Sequence, residues 1–136
     1  QLEIPFLHIA DVTAEQAIRN KYKNLGLLGN KPTMTKAFLK DRLSKKHTLQ
    51  VTIPNASDVE KSHHYVSTEL TQGKFTEEAK HFYIDQINNF KQKGADAVIL
   101  ACTELPILLN KIDAALPLLH TTDLHIQKAV DFILSD

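Results

Sequence analysis

The chain has one cysteine, Cys102. That excludes an internal disulfide and a thiolate-rich zinc site, and it fits a reducing, cytoplasmic compartment. Charge of one sign is lacking too, since 16 Lys+Arg face 16 Asp+Glu. Without a positive excess, the phosphate attraction behind nucleic-acid and membrane-surface binding is missing. Long apolar runs are absent: Ala97–Cys102 and Leu105–Leu109 are far too short to span a bilayer. Gln1-Leu2-Glu3-Ile4-Pro5 has neither the positive region nor the apolar stretch of a signal peptide. Methionine occurs once, at Met34, so the sequence has no initiator and is expected to be a fragment of a longer protein. There is no internal repeat, no low-complexity segment and no Pro/Gly/Ser linker. No H-E-x-x-H occurs, and Gly26-Leu27-Leu28-Gly29 lacks the ordering of a dinucleotide fingerprint, so neither a metal nor a cofactor is expected.

The 136 residues, 43% of them hydrophobic, suit one domain with a real core. Pro5–Ala10 is a short apolar run that reads as a buried strand. Thr13 with Gln16 reads as a capping box, opening a helix with Ala14, Ala17, Ile18 and Tyr22 on its apolar face. Leu25–Leu28 reads as a strand, and Thr33–Lys46 as a helix with Met34, Ala37, Phe38 and Leu43 inward. Leu49–Ile53 alternates like a strand. Ser57 with Glu60 forms a second capping box for a helix to about Thr71, broken at Gln72-Gly73-Lys74. Thr76 caps a helix from Glu77 to about Lys93, with Gly94 at its end. Ala97–Ala101 is apolar on both faces, like a central strand. A helix from Glu104 to Ala114 tolerates Pro106 in its first turn. Leu118–Leu119 reads as a short strand, and Thr122 caps a last helix to Leu134. Alternating strands and helices with apolar strands predict an α/β fold, a parallel sheet of about four strands flanked by helices.

Such sheets bind ligands beyond the carboxyl ends of their strands. The expected ends carry His8 with Asp11, Gly29-Asn30, Asn55, and Cys102-Thr103-Glu104. Cys102 falls between a buried strand and a helix start, where free N–H groups and the helix dipole stabilise a thiolate. The same donors can hold a carboxylate, and Thr103 adds a hydroxyl. The plain alternative is a small buried core residue. His63-His64 are adjacent, so on a helix they diverge and do not share a metal. Lys36, Lys40, Arg42, Lys45 and Lys46 read as a solvated helix face. Lys74 is either a surface lysine or a cation for an anionic ligand.

At Ala97–Leu105 (AVILACTEL) the chain resembles the second cysteine motif of the aspartate/glutamate racemase family. Glu104 stands where glutamate racemases usually carry His, which favours the aspartate-racemase-like branch. Ile4–Asp11 is similar to the segment that opens the family's second lobe. Gly26–Gly29 through Thr33-Met34 is similar to its glycine-threonine loop. Leu119–Thr122 with His125 is similar to its final helix entry. The resemblance implies one lobe of a two-lobed, cofactor-independent racemase with its active site between the lobes. Inverting a stereocentre takes a base on one face of Cα and an acid on the other. By the resemblance Cys102 is one of the two groups, Thr103 binds the substrate carboxylate, and Lys74 is the active-site lysine of this lobe. Thr33 and Glu104 are further substrate-binding candidates.

The family's first cysteine motif and its first lobe are absent from this sequence. Asn30 replaces the usual Thr of the loop, and His120 stands where Asp is commoner. Residues 1–121 then form the second lobe. Thr122–Asp136 is a helix that packs on the first lobe in the family. Here it is expected to fray, dock on its own lobe, or pair with a second copy as a homodimer. The implied ligand is a small acidic amino acid, with no nucleic acid and no membrane. With one of the two thiols, this chain alone is expected to be inactive in racemisation. Two alternatives carry the same fold: a non-catalytic ligand-binding or interaction module, and a one-thiol decarboxylase or isomerase relative.

Overall fold

The computed structural model describes residues 6–29, 31–35, 41, 43–44, 48–101, 104–110 and 114–120, with backbone alone at 6–10 and 32–33. Four strands form one all-parallel sheet: β1 (Asn24–Leu28), β2 (Gln50–Thr52), β3 (Ala97–Leu100) and β4 (Leu118–His120). Their order is β2-β1-β3-β4. The helices are α1 (Phe6–Arg19), α2 (Lys31–Thr35), α3 (Ala56–Thr68), α4 (Glu77–Gln92) and α5 (Leu105–Leu108). This is the expected α/β fold. No described helix is long and apolar enough to cross a membrane.

Both faces of the sheet are covered, and the strands show it residue by residue. Leu25, Leu27, Ala97 and Ile99 face a cluster with Ala14 and Ala17 of α1, Met34, Leu43 and Leu49. Leu28, Val98 and Leu100 face the opposite cluster, with Tyr65 and Val66 of α3 and Ala79, Tyr83, Ile87 and Phe90 of α4. Period-two alternation explains the split, and burial on both sides explains why these strands are apolar throughout. Gly26 sits between them because the Phe90 ring occupies the space a side chain would need.

Several expectations are corrected. Of the strand expected over Pro5–Ala10, residues 6–10 are instead the first turns of α1, which runs unbroken to Arg19. Phe6, Ala10, Ala14 and Ala17 continue one helical spacing, and a six-residue apolar run cannot by itself distinguish strand from helix. Thr13 is therefore no cap but a fully buried mid-helix residue, and Ile18, expected inward, is 52% exposed. The third helix starts earlier than Ser57. Asn55 caps it, its side chain accepting from the Asp58 N–H at 2.9 Å. Pro54 follows the strand, and Asn55 is the first competent cap after it. Thr76 caps α4 as expected, accepting from the Ala79 N–H at 3.1 Å. The helix expected over Glu104–Ala114 is one turn, Leu105–Leu108, ending in a turn at Leu109-Asn110. Residues 36–40, the whole basic run (Lys36, Lys40, Arg42, Lys45 and Lys46) and Thr122–Leu134 lie outside the described residues.

At the amino edge, Asp96 ties β1 to β3. Its Oδ2 accepts from the backbone N–H groups of Lys23 at 2.8 Å and Asn24 at 3.0 Å. Those two donors, the Lys23 bond foremost, hold its carboxyl below the ordinary carboxylate range. A lowered folded pKa contributes stability above the ordinary value near 4, and that stability is lost as pH falls through the folded pKa. Asp96→Ala is expected to lose about 2 kcal/mol at neutral pH. In urea unfolding the gap to wild type should narrow as pH drops below about 4. A gap constant from pH 7 to pH 2 would refute this.

Candidate functional site

The sheet order locates the crevice. From β1 the chain passes to β2 on one side, then returns to place β3 on the other side of β1. The order reverses between β1 and β3, and open parallel sheets bind ligands outside the carboxyl ends at such a switch point. Leu28, Leu100 and His120 are level there: Leu28 pairs with Leu100, and Leu100 with His120. The Ala101 N–H donates to the Leu28 carbonyl at 2.9 Å, extending the ladder to the edge. The segments leaving this point are Gly29–Lys31 after β1 and Ala101–Glu104 after β3. Strand pairing thus brings the carboxyl ends of β1 and β3, Leu28 and Leu100, side by side although they are far apart in the sequence.

Of the expected site residues, Cys102 and Thr103 lie outside the described residues, between β3 and α5 in the chain. Glu104 is the half-buried residue before α5, and its carbonyl accepts from the N–H groups of Ile107 and Leu108, both at 3.1 Å. Thr33 is in α2 by its backbone. Lys74 is exposed and follows Gly73, whose φ of 79° ends the 3-10 turn Leu70–Gln72. Its N–H donates to the Glu69 carbonyl at 2.8 Å, closing the loop. The Thr76 hydroxyl donates to Glu69 Oε1 at 2.9 Å and fastens the far side. Nearby, the Tyr65 hydroxyl donates to Glu78 Oε2 at 3.1 Å. Burial, with that bond and the charges of Glu78 and Glu69, pushes the Tyr65 pKa up, so it stays a donor.

Two expected site residues are misplaced by the sequence reading. His8 and Asp11 stand at no strand end, because that segment is α1. Three residues that the sequence reading does not place at the loop after β1, His63 being weighed there only as a metal ligand, hold that loop. Ser62 Oγ donates to the Gly29 carbonyl at 2.6 Å, and the Tyr83 hydroxyl lies 2.9 Å from Ser62 Oγ. His63 Nδ1 accepts from the Lys31 N–H at 3.0 Å. A signal for Ser62 existed: it is a hydroxyl in the buried stripe Val59, Ser62, Tyr65, Val66. Among the described residues no three His, Cys, Asp or Glu side chains gather as a metal site.

The model of the Asp/Glu/Hydantoin racemase family matches residues 1–129. The chain belongs to this family. Among solved structures it is similar to an Asp/Glu racemase homologue from Yersinia pestis, with 35% identity and a TM-score of 0.89 over 94% of this chain and 56% of that one. It is similar to an aspartate racemase homologue from Pyrococcus horikoshii OT3, with 28% identity and a TM-score of 0.82 over 91% of this chain and 54% of that one. The aspartate racemase of Picrophilus torridus shares 26% identity, with a TM-score of 0.62 over 83% of this chain and 46% of that one. The chain spans about half the length of these racemase structures.

Proposed function

We propose that the chain is the second lobe of a cofactor-independent racemase acting on aspartate or a related acidic amino acid. The observation that carries this is the family match over residues 1–129, on a parallel sheet whose strand order reverses between β1 and β3. In this reading the Cys102 thiolate takes the proton from one face of Cα. A thiol of the first lobe delivers a proton to the opposite face, so the carbanion is inverted and no electrons are gained or lost. Thr103 binds the substrate carboxylate. Lys74, exposed after Gly73, supplies a cation for a carboxylate, and Thr33 and Glu104 are further substrate-binding residues of this reading. Residues 1–121 form the lobe, Thr122–Asp136 packs on the first lobe, and the protein works in the cytoplasm.

One thiol on one face exchanges a proton without inverting the centre. The 136-residue chain should therefore incorporate solvent deuterium at Cα of one aspartate enantiomer, with no racemisation. Measured by mass spectrometry, exchange of a single enantiomer supports the reading. No exchange of either enantiomer, together with an ordinary thiol pKa at Cys102, would sink it in favour of a non-catalytic module.

A further inference from the structure

One turn of α3 grips the loop after β1 on both sides of position 30. Before it, the Ser62 hydroxyl donates to the Gly29 carbonyl at 2.6 Å. The Tyr83 hydroxyl of α4 lies 2.9 Å from Ser62 Oγ and donates its proton to the Ser62 carbonyl at 3.1 Å, which anchors the Ser62 backbone. Ser62 and Tyr83 are both fully buried. After it, the Lys31 N–H donates to His63 Nδ1 at 3.0 Å. The ring's Nε2 lies 3.4 Å from Ser67 Oγ. The Lys31 ammonium of α2 pairs with Glu60 of α3, three residues before His63. That pair is exposed and adds little.

Packing does not ask for this arrangement. The stripe of α3 that carries Ser62 is otherwise Val59, Tyr65 and Val66, and a buried hydroxyl is tolerated only with a partner. What the hydroxyl does is fix a carbonyl. The peptide unit is planar, so holding the Gly29 carbonyl holds the plane of the unit it begins. The bond to Lys31 then fixes the chain two residues on. A backbone set at two points needs no reordering when a ligand arrives, which is how preorganisation raises affinity.

We infer that Ser62, His63 and Tyr83 are positioning residues that hold the Gly29 carbonyl and the Lys31 N–H for binding of the carboxylate of an acidic amino acid at the switch point. None of them touches the ligand; each acts through the loop. The inference rests on the racemase reading, and the test separates the two.

The test titrates L-aspartate into the whole 15N-labelled chain and follows the amide shifts of Gly29 and Lys31. Ser62→Ala is expected to raise the apparent Kd about tenfold, a loss of about 1.4 kcal/mol. Tyr83→Phe keeps the ring and should raise it less, and Ser62→Thr, which restores a hydroxyl, should return it close to wild type. Asp96→Ala, on the opposite edge of the sheet, serves as a control for lost stability and should leave the Kd unchanged. Equal weakening by Asp96→Ala would reduce the three residues to a structural role and overturn the inference. Ser62→Ala binding like wild type would overturn it too, with the racemase reading intact. No L-aspartate-dependent shift in wild type would remove that reading and the inference together.

Discussion

Gly26→Ala is expected to destabilise the fold by about 3 kcal/mol, the upper part of the range for a methyl forced into a packed core. An added Cβ would lie 2.4, 2.6 and 2.7 Å from three atoms of the Phe90 ring. Neither side can yield cheaply. Gly26 is in the middle of β1, paired with Thr52 on one side and Val98 on the other. Phe90 is 1% exposed and enclosed by its own cluster. The clash is with a ring, not with the tip of a flexible chain. Urea unfolding of Gly26→Ala, Phe90→Leu and the double variant measures it. The smaller leucine makes room, so the double variant should be clearly more stable than the sum of the two losses predicts. Additivity within about 0.5 kcal/mol would show that the two residues do not compete for one space.

Cys102→Ala is expected to slow the Cα deuterium exchange of the proposed half-site by about 10²- to 10⁴-fold, the usual contribution of a positioned general base. Cys102→Ser tests the chemistry more narrowly. It keeps a similar shape but replaces a thiol with an ordinary pKa near 8.5 by a hydroxyl that does not ionise in the working range. It should therefore be nearly as slow as alanine. Exchange that survives in both variants would take Cys102 out of the reaction, whatever the family match says of the fold.

The central strands and the long helix α4 were legible in the sequence. Leu25–Leu28 and Ala97–Leu100 are apolar at every position except a glycine, and α4 has its cap at Thr76 and a regular inward stripe. The segment Phe6–Ala10 was not legible, because a short apolar run has too few residues to show a period. Asn55 lost to Ser57 on paper because the capping-box pattern is local, whereas the actual start depends on where the strand before it ends. For the site, the glycine break before Lys74 could be read directly. The grip of Ser62 on Gly29 could not. Its partners are 33 residues apart, and nothing near either one announces the other until the sheet brings them together.

The strand order also governs when the molecule can assemble. β1 gains its β2 neighbour once the chain reaches Thr52, but Ala97 of β3 lies 72 residues beyond its partner Leu25. During synthesis one side of β1 stays open through the whole emergence of α3 and α4. Closing that distance costs loop entropy before any of the pairing is gained. The nascent chain therefore carries an apolar, unpaired strand edge until the Ala97–Leu100 segment arrives, and α4, which arrives first, can shelter one face of it but not the edge.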